Sequence, residues 1–190
     1  MTKKLSIVIV AILCIACSNK NADNKAMVKA YYDGFLKGDY GLVKQVMADE
    51  FISVEGDFTT RYTPETYHEL FKWDSVFKPA YHIKEIKTMQ NEVVATVSVS
   101  SDKFQFLKNN PLVFKHKFSF KNGKIARSEY IEFIGTDWDA WEAQKQALLI
   151  WIAKEHPELD GFMYDLTEKG AINYNRAMDL YKNRILNDSL

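Results

Sequence analysis

The hydrophobic pattern of the chain changes its period near residue 80, and this change restricts the possible folds more than any other feature. Before it, apolar residues recur every three or four positions, which is typical of amphipathic helices. After it, apolar and polar residues alternate, as they do from Val93 to Ser100, which is typical of strands. Helices followed by long antiparallel strands predict an α+β protein, in which helices cover one face of a sheet that has room to curl around a cavity.

Three helices and one short strand are predicted before the change. The first helix covers residues 25–38, and the second begins after Asp39, a good N-cap residue. The strand covers Phe51 to Glu55. Thr63 and Pro64 then open the third helix, as cap and first helical residue, and it ends near residue 79.

Four longer strands are predicted after the change, over residues 81–89, 92–107, 112–121 and 124–134, with Asn122-Gly123 as the tight turn of the last hairpin. One face of the third of these strands carries three phenylalanines and a histidine: Phe114, His116, Phe118 and Phe120. A polar ring on such a face must find a partner or stay neutral. A satisfied core histidine is the more common outcome for such a ring.

Lysines are concentrated between residues 103 and 124, a stretch that contains no acidic residue; they are Lys103, Lys108, Lys115, Lys117, Lys121 and Lys124. They could meet anionic lipid or an acidic partner. We favour the interpretation that they form the solvated outer face of the hairpin.

The N-terminus has the pattern of a secretory signal. Lys3 and Lys4 precede an apolar run from Leu5 to Ala16, which is too short to cross a bilayer as a helix. The sequence Leu13-Cys14-Ile15-Ala16-Cys17 resembles the box at which bacterial lipoproteins are cleaved and lipidated. The resemblance implies a signal peptide over residues 1–16 and a lipid on Cys17. Residues 18–24 are small and polar without apolar periodicity, so we predict a lipidated cysteine and flexible tether over residues 17–24.

The lipid would place the protein in the cell envelope, and Ser18 after the cysteine favours the outer membrane over the inner one. The alternative is an ordinary signal peptide that leaves Cys17 as a free thiol. If Cys17 is lipidated, neither cysteine of the chain is free for a disulfide, a zinc site or a thiol nucleophile.

Several other functions lack a sequence signal. The 25 basic and 25 acidic residues balance, so the charge does not indicate nucleic-acid binding. The four histidines lie far apart without a metal-ligand spacing, and no phosphate-binding glycine loop occurs. We therefore expect no metal and no cofactor.

Three short motifs carry a family resemblance: residues 31–39, residues 47–51, and the hairpin of residues 118–125. In order and spacing they resemble the nuclear transport factor 2-like (SnoaL-like) superfamily, over about residues 25–135. The resemblance implies a cone-shaped, strongly curved sheet wrapped by three helices, with an apolar pocket at its open end. Pocket-lining candidates are Tyr31, Phe35, Phe114, His116 and Phe118, and a homodimer through the sheet is a possible assembly.

The ketosteroid isomerase branch of this superfamily implies three candidate catalytic residues. Aligned on Gly38-Asp39, Tyr31 takes the place of an oxyanion tyrosine and Glu55 that of a carboxylate base. His116 stands where that branch has a protonated aspartate. In such a site a carboxylate moves a proton while two donors hold an enolate oxygen. Because superfamily members include both enzymes and binding modules, the fold does not decide the function.

The last part of the chain, residues 136–190, lies outside the resemblance and predicts two helices, one after Asp137 and one after Thr167. We expect this helical extension to pack on the domain. Its aromatic residues could instead form a ligand or partner surface, made of Trp138, Trp141, Trp151, Phe162 and Tyr164.

The function favoured by these observations is a lipid-anchored, non-enzymatic envelope domain that binds a small apolar ligand or a partner. The alternative is a small cavity enzyme, an isomerase or dehydratase that uses Glu55, Tyr31 and His116.

Overall fold

Six strands form one sheet in the computed structural model, which describes residues 23–187. The elements in chain order are α1 (23–37), α2 (Tyr40–Val46), β1 (Met47–Glu55), β2 (Phe58–Tyr62), α3 (Pro64–Ser75), β3 (Ala80–Met89), β4 (Glu92–Ser100), α4 (Asp102–Phe106), β5 (Leu112–Lys121), β6 (Lys124–Phe133), α5 (Trp138–Glu155) and α6 (Glu168–Asn187). Two short 3-10 turns, Pro157–Leu159 and Phe162–Tyr164, connect α5 to α6. The predicted signal peptide and Cys17 lie outside the described residues.

The strands follow the order β2-β1-β6-β5-β4-β3 across the sheet. Neighbours are antiparallel except β1 and β6, which run parallel. The register shifts once between β3 and β4 and twice between β5 and β6. Such irregularities bend a strand and increase its twist. The predicted α+β fold, a curved sheet with helices packed against it, is confirmed.

Local signals set most of the element ends. The side chain of Asp39 accepts a hydrogen bond from the Gly41 amide, and Thr63 and Thr66 form a reciprocal capping box at α3. Asp137 caps α5 by accepting from the amide of Ala140. Each cap satisfies an amide that has no partner inside its helix.

The structure differs from the sequence prediction in four places. Strand β1 begins at Met47, four residues before its predicted start. The predicted strand 92–107 ends at Ser100, because the Ser101 hydroxyl accepts from the Phe104 amide and starts the short helix α4. Strand β2 and its pairing with β1 were not predicted. Residues 23 and 24, assigned by sequence to the tether, belong to α1, where Asn24 is buried.

Two apolar clusters hold these layers together. The first lies between the sheet and helices α1 to α3. The second joins α5 and α6 to the end of α3 and to α4, through residues such as Phe77, Phe106, Leu148 and Met178. The C-terminal helices therefore extend the core. No helix within residues 23–187 has both the length and the apolar character needed to span a bilayer.

Candidate functional site

The open end of the curved sheet encloses a cavity of about 430 Å³, a size suited to a small organic molecule. Four of the five predicted lining residues do line it: Tyr31, Phe35, Phe114 and His116. Phe118 does not. Its side chain is fully buried behind the cavity wall, with its ring centroid 4.3 Å from that of His116 and 5.5 Å from that of Tyr31.

The lining is aromatic but more polar than the apolar pocket predicted from the resemblance. Six tyrosines contribute to it: Tyr31, Tyr32, Tyr62, Tyr67, Tyr81 and Tyr130. Three charged residues, Glu55, Asp74 and Lys103, also line the cavity. Aromatic walls with a few placed polar groups are typical of sites that bind and orient a ring-containing molecule.

The hydroxyl of Tyr31 is not free. It shares a short hydrogen bond with the hydroxyl of Tyr67, and both residues are almost fully buried. Burial raises the pKa of both phenols, so they remain neutral donors at physiological pH. The sequence correctly predicts that Tyr31 lines the cavity. It does not predict the hydrogen bond to Tyr67, because that bond depends on how α1 and α3 pack.

His116 is built into the core by one hydrogen bond and by aromatic stacking. Its Nδ1 lies 2.6 Å from the hydroxyl of Tyr32, and its ring stacks on that of Tyr130 at 4.2 Å between centroids. Its Nε2 is buried and has no hydrogen-bond partner among the described residues. Burial lowers the pKa of His116 to about 3, so the ring is neutral. His116 therefore lines the cavity as a core histidine, without an accessible nitrogen for a ligand.

Glu55 ends β1 at the mouth of the cavity and is partly exposed to solvent. Burial of its carboxylate raises its pKa, and the positive charge of Lys103 opposes that rise. Within residues 23–187 its carboxylate has no salt bridge within 4.0 Å. Tyr31, Glu55 and His116 thus face one cavity, as the isomerase resemblance requires, although only Glu55 keeps its polar atoms free. Their catalytic role stays a prediction.

A second polar group in the cavity was missed by the sequence analysis. The hydroxyl of Tyr81 donates a hydrogen bond of 2.9 Å to Oδ2 of Asp74, on α3. Burial raises the pKa of Asp74, whereas Lys103 and the Tyr81 hydrogen bond lower it. Nothing in the helical pattern of α3 distinguishes Asp74 from a solvated surface acid.

Lys103 also departs from its predicted place. Lys115 and Lys117 do lie on the outer face of the hairpin, where they pair with Glu132 and Glu129. Lys103 instead lies on α4 and lines the cavity. It does so because the chain leaves the sheet at Ser100. The N-cap residue Ser101, followed by the acidic Asp102 in the first turn, is the signal that could have revealed this turn.

The mouth of the cavity has an apolar rim. Phe58 is 80% exposed, and Trp138 and Leu166 are about half exposed. Of the aromatic residues proposed for a ligand surface, Trp138 and Trp141 line this cavity, whereas Phe162 is buried in the second cluster and Tyr164 points to solvent.

Among residues 23–187, no group of three or more His, Cys, Asp or Glu side chains is placed to hold a metal ion.

No protein-family model matches the sequence, and a search of curated proteins also finds no match. Solved structures do match. Bal32a from a soil-derived mobile gene cassette has a TM-score of 0.51 at 13% identity, covering 65% of this chain and 97% of its own. TerC, co-crystallised with polyporic acid, has a TM-score of 0.50 at 18% identity, covering 65% and 98%.

A protein of unknown function with a cystatin-like fold from Methylobium petroleophilum matches with a TM-score of 0.50 at 14% identity, covering 62% of this chain and 79% of its own. At these identities the likeness concerns the fold alone. The chain therefore has a cystatin-like fold, and the curved sheet with helices packed against it that the sequence resemblance implies is present in the structure.

Proposed function

We propose that this protein is a binding domain that holds a small, ring-containing molecule in its cavity without transforming it. One observation carries the proposal: the cavity has aromatic walls, and of the three predicted catalytic residues only Glu55 keeps its polar atoms free of protein partners. The Tyr31 hydroxyl is bonded to Tyr67, and the nitrogens of His116 are bonded or enclosed. A general acid or base needs a group within hydrogen-bond reach of the substrate. The co-crystallisation of TerC with polyporic acid supports a small organic ligand in a fold of this kind.

The second candidate function is proton transfer in the same cavity, by an isomerase or dehydratase that uses Glu55, Tyr31 and His116. It is supported by Glu55, whose carboxylate faces the cavity and has a raised pKa. A raised pKa brings a carboxylate closer to the value that suits a general base near neutral pH.

Filling the cavity tests the binding proposal. Ser53 lines the cavity from β1, so Ser53→Phe places a ring inside it. We expect the variant to bind the neutral fluorescent probe N-phenyl-1-naphthylamine about tenfold more weakly or worse, as measured by fluorescence titration. Thr59→Phe is the matched control, because Thr59 is exposed on β2 and does not line the cavity. Equal affinity in both variants would refute binding at this site.

We further propose that a lipid on Cys17 anchors the domain in the cell envelope, in the outer membrane rather than the inner one. The lipoprotein-like box before Cys17 supports this anchor. Cys17→Ala is expected to move the protein from the membrane fraction to the soluble fraction after cell lysis, measured by immunoblot. Cys14→Ser, three residues earlier, is expected to leave it on the membrane. Membrane association of Cys17→Ala would contradict the anchor.

A further inference from the structure

Lys103 has an unusual environment for a charged side chain. Its ammonium lies over the rings of Trp73, Phe104 and Phe77, at 4.4, 4.8 and 5.0 Å from their centroids. We call these three rings the aromatic collar. The faces of such rings attract a cation, but they accept none of its hydrogen bonds in the way an oxygen does.

Two acidic residues are close enough to influence Lys103 without pairing with it. Asp74 and Glu55 both favour its charged form, whereas burial lowers its pKa. Within residues 23–187, neither carboxylate comes within 4.0 Å of the ammonium, and no side chain or backbone oxygen accepts a hydrogen bond from it. The side chain of Lys103 is half-buried, and its three N–H donors have no protein acceptor, so water or a bound molecule must accept from them.

We propose that Lys103 is the anchor for an anionic oxygen of the bound molecule, so that the cavity selects aromatic or cyclic acids. This inference rests on the proposed binding function and names its ligand class. A carboxylate, phenolate or enolate oxygen would supply the acceptor that Lys103 lacks, while the rest of the molecule lies against the aromatic walls. Charge-assisted hydrogen bonds of this kind are stronger than those between neutral groups.

The acidic residues are less suited to anchor a cationic ligand. Asp74 already accepts the hydrogen bond from the Tyr81 hydroxyl. Glu55 lies at the mouth, where water reaches its side chain. Burial raises the pKa of both carboxyls, which favours their neutral forms. Lys103 is therefore the charged group of the cavity that gains most from a ligand of opposite charge.

Three probes of the same size test the inference by isothermal titration calorimetry at pH 7.5: 2-naphthoate, the neutral 2-naphthamide, and the cationic 2-naphthylmethylamine. On the unmodified protein we expect naphthoate to bind about tenfold more tightly than the amide or better, and the amine to bind worst. All three probes are compared on the unmodified protein. A folding defect in a variant therefore cannot affect this comparison.

The protein side of the test uses Lys103→Met, which keeps the apolar stem and removes the charge. We expect it to weaken naphthoate binding about tenfold or more and to change amide binding less than about threefold. Lys115→Met, on the outer face of the hairpin, is the control and should change neither.

The outcomes separate the inference from the proposed function. If the amide binds as tightly as naphthoate, or the amine binds more tightly than both, the anion anchor is refuted while the binding function stands. If no probe binds, although the protein is folded by circular dichroism, the proposed function is refuted together with the inference.

Discussion

Replacing Phe77 by alanine is expected to lower the free energy of unfolding by about 3–5 kcal/mol. The side chain is fully buried just after α3, and its ring packs edge to face on Trp73 and Tyr174, at centroid distances of 5.0 and 5.4 Å. Truncation would leave a cavity between α3 and α6, where the surrounding residues can close in only partly.

Urea denaturation of Phe77→Ala, followed by circular dichroism, measures this effect. Phe58→Ala is the matched control, because Phe58 is 80% exposed and its loss should change the stability by less than about 0.5 kcal/mol. A loss below about 1 kcal/mol for Phe77→Ala would mean that the second apolar cluster does not stabilise the domain.

Acid is expected to destabilise the protein strongly through His116. Burial depresses the pKa of this ring to about 3 in the folded state, whereas an unfolded histidine has a pKa of about 6.5. Below pH ~6.5 the unfolded state therefore binds a proton that the folded state does not. This residue alone then costs about 1.4 kcal/mol of stability per pH unit, up to about 5 kcal/mol near pH 3.

The pH dependence of the unfolding free energy tests this expectation when it is compared between variants. His116→Gln keeps a group that can hydrogen-bond the Tyr32 hydroxyl and removes the titration, so its stability should fall less steeply below pH 6.5. His82→Gln is the control for the loss of a histidine, since His82 is exposed on β3. Parallel profiles for the unmodified protein and His116→Gln would show that His116 is accessible to protons in the folded state.

Most of the elements could be predicted because their signals are local. The caps at Asp39, Thr63 and Asp137 and the turn at Asn122-Gly123 each depend on neighbouring residues only. Strand β2 was missed because its residues are mostly exposed and show no clear alternation. Its pairing with β1 could not be predicted, because β2 offers no buried face that would mark it as a partner.

The candidate site was predicted only in part, for a different physical reason. Periodicity places Tyr31 and His116 on the apolar faces of their elements, and the family resemblance adds the prediction that both line one cavity, which they do. It does not reveal that Tyr67 and Tyr32 occupy their polar atoms, because these partners come from other parts of the packing. Lys103 appeared to belong to a surface strip, since only the early end of β4 turns it toward the cavity.

The sequence by itself thus determined the α+β class, the order of the five longer helices and the main strands, and the two faces of those strands, because these follow from short-range periodicity and capping. The tertiary structure alone decided which polar groups of the cavity are satisfied and which remain available. That distinction depends on hydrogen bonds and burial between residues far apart in the chain, such as Tyr31 with Tyr67 and Tyr32 with His116. It is also what separates a catalytic interpretation from a binding one in this fold.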